Sequence, residues 1–449
     1  VPSIIQRIQH HFTNPDPRNR QIGIGFVWVG LFVLVGKLAG AAKEMGIAWR
    51  YGVGSTVDAY VFVLNVINWP IAIWFGMLTA VLLPLFARCK SASNGELSEF
   101  CSELLGFTLV IGVVVAVLFW WGLTTLLSLG WLGLTELALM RALEMVGATA
   151  ILGPLGLIIS FFSVCLLASG QHRNTLFEAI PALVLLVILV VIPSAMPEPL
   201  IWGTITGYAL HAAALGASLA GRGELPMVRF TARSPAWPFF WSGIGIISMG
   251  QALSSFTALV DQFFAAGLGE GALSTLNYAN RILALLLGLG ATAISRATLP
   301  VFSDAVAKGG SDISKEAFLW ASLMAFFGLV VLLVSWLFAP SMVALLFERG
   351  AFNAYNTIAV SDILRISLFQ VVFYFPSIVL VALLSAQRRF GWIAVSGAIN
   401  FLSKLAFSFV LVPMFGMHGL VLSTVLMYAI SALLLAWIVL AARKQGRSI

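Results

Sequence analysis

Twelve apolar runs, each about the length of a bilayer crossing, fill this chain from residue 22 to residue 442. They lie near 22–42, 59–87, 104–128, 145–169, 178–194, 199–220, 238–264, 276–303, 318–347, 362–386, 391–412 and 418–442. A helix needs about 20 apolar residues to span the hydrocarbon core. In lipid every backbone polar group must be satisfied within its own segment or in a closed barrel. Continuous apolar runs without strict alternation exclude the barrel. The expected fold is therefore an all-α polytopic membrane protein with twelve transmembrane helices. Composition agrees: 60% of the 449 residues are hydrophobic and 10% are charged, against about a quarter charged in a soluble domain.

The basic residues mark orientation rather than nucleic-acid binding. With the N-terminus inside, the expected cytoplasmic segments hold sixteen Lys and Arg, among them Arg88, Lys90, Arg222, Arg229, Arg233, Lys308, Arg388 and Arg389. The opposite loops hold four: Lys43, Arg50, Arg141 and Arg349. Excess Lys and Arg on one side fixes topology, so both termini are expected in the cytoplasm of a bacterial inner membrane. The first twenty residues are polar, include Pro15 and Pro17, and lack the apolar core of a cleavable signal. Cys89, Cys101 and Cys165 form no CxxC pair, so neither a disulfide nor a metal site is expected.

A shift of 216 residues brings distant landmarks into register. Leu83-Pro84-Leu85-Phe86 falls on Leu299-Pro300-Val301-Phe302, Gln171 on Gln387, Arg173 on Arg389, and the stretch from Asp58 to Asn65 on Ser274 to Arg281. One offset shared by Pro, Gln and Arg favours duplication over chance matching of apolar sequence. Two pseudo-symmetric six-helix lobes follow. The expected division is a cytoplasmic N-terminal segment 1–21, an N-lobe 22–220, a cytoplasmic linker 221–237, a C-lobe 238–442 and a cytoplasmic tail 443–449. Parallel repeats of this kind place a cargo site between the halves.

Five basic residues stand inside or at the rim of the spans: Lys37, Arg281, Arg296, Arg365 and Lys404. Each costs about 2.5–3.5 kcal/mol at a helix centre unless it faces water or a partner. Arg296 and Arg365 lie near helix ends, where snorkelling is the competing reading. Lys37 shares a helix face with Glu44 seven residues on, which makes a structural pair its competing reading. Arg281 has no acid within one helical turn. The acids Glu44, Asp58, Asp261, Glu270, Glu348 and Asp362 all fall near the expected outer face. Asp58 and Asp261 are read as partners of Lys43 and Arg281, with proton or cation binding as the alternative. His211 and His418 are read as satisfied packing residues. A Walker loop, a GxSxG elbow and an HExxH motif are all absent, and no sizeable outer loop carries catalytic groups, so an enzyme is not expected. The surplus of deep bases suits a phosphate-type anion, which Arg and Lys hold through charge-assisted hydrogen bonds.

Several stretches resemble the MurJ/MviN family. They are Ala42-Lys43-Glu44 with Gly52-Val53-Gly54-Ser55-Thr56-Val57-Asp58-Ala59-Tyr60, then Leu276-Asn277-Tyr278-Ala279-Asn280-Arg281 followed by Leu299-Pro300. The third is Ala344-Leu345-Leu346-Phe347-Glu348-Arg349-Gly350-Ala351-Phe352. The resemblance implies the two-lobed fold of the multidrug/oligosaccharidyl-lipid/polysaccharide (MOP) superfamily. It also implies alternating access and export of an undecaprenyl-diphosphate-linked sugar. Lys37 and Lys43 stand where the family has cavity arginines, Glu44 where it has Asp, and Asp58 and Arg281 match directly. Lys37, Lys43, Arg281 and Asp58 are thus the expected substrate-binding residues. Glu44, Asp261, Arg296, Arg365 and Lys404 are cavity or pairing residues. The family's second-helix charges are replaced by Ile71, Ala72 and Gly76, and its two further C-terminal helices have no counterpart after the twelfth span. The cargo readings are accordingly lipid II or an exopolysaccharide repeat unit. The alternatives in function are a cation-coupled multidrug antiporter of the same superfamily and a non-transporting scaffold homologue. No cofactor is expected; coupling to the membrane potential or to a monovalent cation is. The expected partners are the lipid-linked glycan, membrane lipids and cell-envelope biosynthesis proteins, with no nucleic acid.

Overall fold

The structure, a computed structural model, describes residues 17–89, 94–169, 174–194, 196–308 and 313–444. The repeat landmarks Gln171 and Arg173, the counted basic residue Lys90 and the terminal segments 1–16 and 445–449 lie outside the described residues.

Among the described residues the regular structure is helical and no strand occurs. The helices are α1 Pro17–Tyr51, α2 Ser55–Cys89, α3 Asn94–Val117, α4 Glu136–Thr149, α5 Leu152–Ala168, α6 Ile180–Val191, α7 Glu198–Ala220, α8 Trp237–Ala266, α9 Ala272–Ala307, α10 Ile313–Phe347, α11 Ala354–Ser367, α12 Gln370–Ala386 and α13 Phe390–Lys444. Beyond Val117, α3 continues through a π-helical turn, Leu118–Leu123, to Ser128. Apolar side chains drive these runs into helix. The scattered hydroxyls then turn back onto their own helix, as Thr108 does on the Leu104 carbonyl and Ser160 on the Gly156 carbonyl. That bond satisfies a polar group which lipid or core would leave unpaired.

Five helices are each long and apolar enough to cross a membrane, and two bent pairs, α4 with α5 and α11 with α12, bring the number to seven. Twelve spans go beyond this length-and-hydropathy test among the described residues. The expected span at 178–194 is a helix of only 12 residues, Ile180–Val191. The two expected spans at 391–412 and 418–442 run together as α13, which kinks at Gly416, where φ is 56° and ψ is −129°. Glycine tolerates that left-handed backbone without a Cβ clash, and Pro413 has already removed one helical hydrogen bond nearby.

The helices repeat as the sequence does. Adding 216 to Ser55, Glu136 and Leu152 lands within two residues of Ala272, Ala354 and Gln370, the first residues of α9, α11 and α12. Both bent pairs fall on this correspondence, at 54° for α4–α5 and 41° for α11–α12. Within the first half α2 packs on α5 and α4, and α7 on α6 and α5. Within the second, α12 packs on α10, α9 and α13. The halves meet chiefly where α8 lies against α2, with smaller contacts of α9 on α2 and of α10 on α1.

One end of the bundle is closed by the three stretches that carry the family resemblance. Ala351 donates its backbone N–H to the Trp49 carbonyl at 2.9 Å, and the Tyr278 hydroxyl donates to the Gly52 carbonyl at 3.0 Å. The Tyr278 ring forms a three-ring cluster with Phe347 and Phe352, whose centroids are 5.0 and 5.4 Å from it and 5.8 Å from each other. Gly52 has φ of +63°, and a Cβ there would meet the Ala351 carbonyl oxygen at 2.6 Å. Only glycine lets the chains approach so closely.

At the other end, residues 221–236 join the halves without regular helix. This linker is clamped to α3. The Glu103 carboxylate accepts from the Thr231 hydroxyl at 2.6 Å, the Arg233 N–H at 2.9 Å, the Ser234 N–H at 3.0 Å and the Trp237 indole N–H at 2.7 Å. Trp237 then packs edge-on against Phe100 and Phe107, which extends a second apolar cluster under the clamp.

Candidate functional site

The deep charges converge where α1 faces α9. The first helix runs on to Tyr51, so Lys43 is not in an outer loop as its place in the Lys/Arg count implied; it lies on the helix. Its ammonium is 2.9 Å from Glu44 Oε1, and the Arg281 Nε is 3.0 Å from the same oxygen. Asn277, one turn before Arg281, donates to the other Glu44 oxygen at 3.5 Å. The Glu44 side chain is 5% exposed, while Arg281 is half exposed. A buried carboxylate shared by two cations is the arrangement that offsets its desolvation. It leaves the exposed edge of Arg281 free to meet a ligand.

This cluster is the wall between two cavities. The larger, about 360 Å³, is lined by Lys43, Glu44 and Arg281 together with Tyr60, Asn65, Asn68, Glu178, Tyr208 and His211. Its two bases face two acids. The smaller, about 210 Å³, is lined by Lys37, Lys43, Arg281 and Glu44 among apolar side chains. Here three cations face one carboxylate, so the positive character expected of the whole cavity is confined to this side. The Lys37 ammonium reaches α9 itself, 3.6 Å from where a Cβ on Gly288 would stand.

Other site residues lie elsewhere, and three expected pairings have different partners. Lys37 and Glu44 do not pair, because Glu44 is held by Lys43 and Arg281. Asp58 pairs with neither Lys43 nor Arg281 and lines neither cavity. Its carboxylate instead accepts from the Gly271 N–H at 2.6 Å and the Ser274 N–H at 2.7 Å at the start of α9. The first-turn N–H groups of a helix are otherwise unsatisfied, and the helix dipole favours an anion there. Asp261 is bound by Lys404, whose ammonium is 2.5 Å from Oδ1. Arg365 lies 3.6 Å from Asp362 and stacks on Trp336 at 4.8 Å, a rim position. Arg296 is exposed on α9. Among the acids, Glu270 accepts from the Ser55 hydroxyl and Glu348 from the Thr357 hydroxyl.

The polar wall of the larger cavity was not singled out in the sequence. Tyr60 shares a hydrogen bond with Thr204 at 2.8 Å, and Tyr208 donates to Asn68 Oδ1 at 3.0 Å. The signal was present as helical spacing. Tyr60, Leu64 and Asn68 recur every fourth residue on α2, and Thr204, Tyr208 and His211 follow at steps of four and three on α7. His211, expected to be satisfied by packing, is buried with no hydrogen-bond partner on Nε2. Ile71, one of the positions without the family's charge, does line the larger cavity and packs into Gly156.

A family model for lipid II flippase MurJ matches residues 47–448. A probable lipid II flippase MurJ of Bdellovibrio bacteriovorus is 30% identical over 247 residues, 53% of this chain and 46% of the relative, so that match spans less than half of the relative's length. The lipid II flippase MurJ of Burkholderia cenocepacia is 24% identical over 92% of this chain and 82% of its own. Among solved structures, a lipid II flippase MurJ in an inward closed conformation superposes with a TM-score of 0.78 at 18% identity, over 92% of this chain and 87% of that one. An inward-facing multidrug transporter of the MATE family, in the MOP superfamily, gives 0.76 at 17% identity, over 92% and 96%. The two structures share the fold. With the family model covering most of its length, the chain belongs to the lipid II flippase MurJ family.

Proposed function

We propose that this protein is a flippase that carries an undecaprenyl-diphosphate-linked sugar, lipid II in the first instance, from the inner to the outer leaflet of the bacterial inner membrane. The observation that carries the reading is the convergence of Lys37, Lys43 and Arg281 on one small cavity between the halves, in a chain of this family. The diphosphate binds on this cationic side. The sugar occupies the larger, charge-balanced cavity, where Tyr60, Asn68, Tyr208 and His211 present hydrogen-bonding groups suited to hydroxyls. The lipid tail stays in the bilayer.

Residues 22–220 and 238–442 act as two lobes joined by the linker, and they rock about the site between them. The contacts of Trp49 and Gly52 with Ala351, and of Asp58 with the start of α9, close one end in this state. The Lys/Arg bias assigns that end to the outside, with both termini in the cytoplasm. Access is then from the cytoplasm. An inside-negative potential favours outward passage of an anion by about 2.3 kcal/mol per charge per 100 mV.

Replacement of Arg281 by Ala tests the reading. A charged hydrogen bond contributes about 1.5–3 kcal/mol, equivalent to roughly 10- to 150-fold in affinity. Binding of lipid II, followed by native mass spectrometry, should fall by at least tenfold, and translocation should fail while the protein still inserts. Undiminished binding and export in Arg281→Ala would remove the role. Stronger retention of an exopolysaccharide precursor than of lipid II by the unaltered protein would reassign the cargo, and retention of cationic dyes alone would favour the antiporter.

A further inference from the structure

Away from the cavities, the most unusual charge in the protein is Lys404. Its side chain is 0% exposed, and it lies in the first arm of α13, before the kink at Gly416. Four oxygens surround its ammonium: Asp261 Oδ1 on α8 at 2.5 Å, Thr424 Oγ1 at 2.5 Å, Ser423 Oγ at 2.8 Å and the Leu420 carbonyl at 3.0 Å, the last three on the second arm of α13.

An ammonium has three N–H donors. Four oxygens within 3.0 Å exceed what directed hydrogen bonds need and describe instead a shell about a centre of positive charge. The ligand set is one carboxylate, one main-chain carbonyl and two hydroxyls. These are hard oxygen donors of the kind that alkali and alkaline-earth cations take. A single carboxylate balances a single charge, which selects a monovalent ion over a divalent one. One further feature fits. Ser408 shares a hydrogen bond with Ser423 at 3.0 Å and so holds one ligand in place.

We propose that these oxygens form a monovalent-cation site whose occupant in this protein is its own Lys404 ammonium. The second half thus carries a tethered cation that cannot dissociate, and it pins α8 to both arms of α13. Sodium or potassium ions have no vacancy to fill here, and the site does not exchange ions during any conformational cycle. Once the ammonium is removed, the same oxygens take a free Na⁺ or K⁺. This inference rests on the geometry around Lys404 and is independent of the cargo.

The test is thermal unfolding of the full chain, purified in detergent without alkali ions and titrated with NaCl or KCl against N-methylglucamine chloride at constant ionic strength. Lys404→Ala should melt below the unaltered protein and recover by a saturable rise of about 1.5 °C at ten times the ion's dissociation constant and about 3 °C at a hundred times. The unaltered protein and the double variant Lys404→Ala with Asp261→Asn should show no ion-selective rise. Lys404→Ser, which adds a hydroxyl to the cage, serves as a second variant, expressed and purified in NaCl or KCl if Lys404→Ala does not accumulate. An alkali-selective rise confined to the single variants supports the site. The same response to N-methylglucamine, a response in the unaltered protein equal to that of the variants, or failure of both variants to fold in either salt overturns it and leaves an ordinary buried ion pair.

Discussion

Asp58 accepts a hydrogen bond at 2.7 Å from the backbone N–H of Ser274, the residue 216 positions further along the chain. That separation is the offset of the sequence repeat. Residues related by a two-fold-like operator meet only close to its axis, so this contact marks where the axis relating the halves passes. The pair is chemically asymmetric: a carboxylate from α2 meets the N-terminus of its repeat mate α9. What the two halves share is the fold, and what joins them is a difference between them.

Breaking that contact should open the closed end. Asp58→Ala removes two hydrogen bonds to a carboxylate, each contributing about 1.5–3 kcal/mol net. Ser55, buried beside Glu270 at this end, reports the change. A Ser55→Cys probe in a background lacking the native cysteines should react with a maleimide roughly tenfold faster when Asp58 is replaced. An unchanged labelling rate would show that Asp58 does not hold this end.

Tethering the same end should stop transport if the halves rock. Cysteines at Ser55 and Glu270, whose side chains are 2.8 Å apart, can be joined by a short bifunctional thiosulfonate. Translocation is expected to cease on cross-linking and to return on reduction. Full activity of the cross-linked protein contradicts alternating access through this end.

Glu44 is the shared partner of Lys43 and Arg281, and Glu44→Gln leaves two cations facing each other. Loss of a buried charged partner should lower stability by about 2 kcal/mol, read as a lower melting temperature. A double-mutant cycle of Glu44→Gln with Arg281→Ala should return a coupling of about 1–3 kcal/mol, the range for residues in direct contact. Additive effects would mean that the contact contributes little in solution.

The linker clamp is testable apart from transport. Glu103→Ala removes the acceptor of Thr231, Arg233, Ser234 and Trp237 together, and a cost of at least about 2 kcal/mol is expected. Gly106→Ala attacks the clamp sterically, since a Cβ there would stand 2.1 Å from the Arg229 carbonyl oxygen. Arg222, Arg229 and Arg233 are already exposed, so both variants, by freeing the linker backbone, should speed limited trypsin cleavage there, between the halves. Resistance equal to that of the unaltered protein would show that the linker is held by other contacts.

The sequence by itself determined the helical membrane fold, the repeat and the identity of the deep bases. Those properties are local. An apolar run long enough to cross lipid must close its own backbone hydrogen bonds, and a Lys or Arg within it stands out whatever surrounds it. Helical periodicity also held the polar wall of Tyr60, Asn68, Thr204 and Tyr208, although the larger volume of apolar sequence hid it. Partner choice was not local. Lys37 and Glu44 share a face seven residues apart, yet Glu44 turned to Arg281 and to Asn277, 233 residues away. Asp58 went to a helix N-terminus that no side-chain pattern displays, and Asp261 to Lys404 on another helix. A helix face states which residues can point the same way. Only the placing of α1 across from α9 and the packing of α8 on α13 decide which charge each of them meets, because ion pairing falls off within a few ångströms and the register between helices is set by the whole bundle.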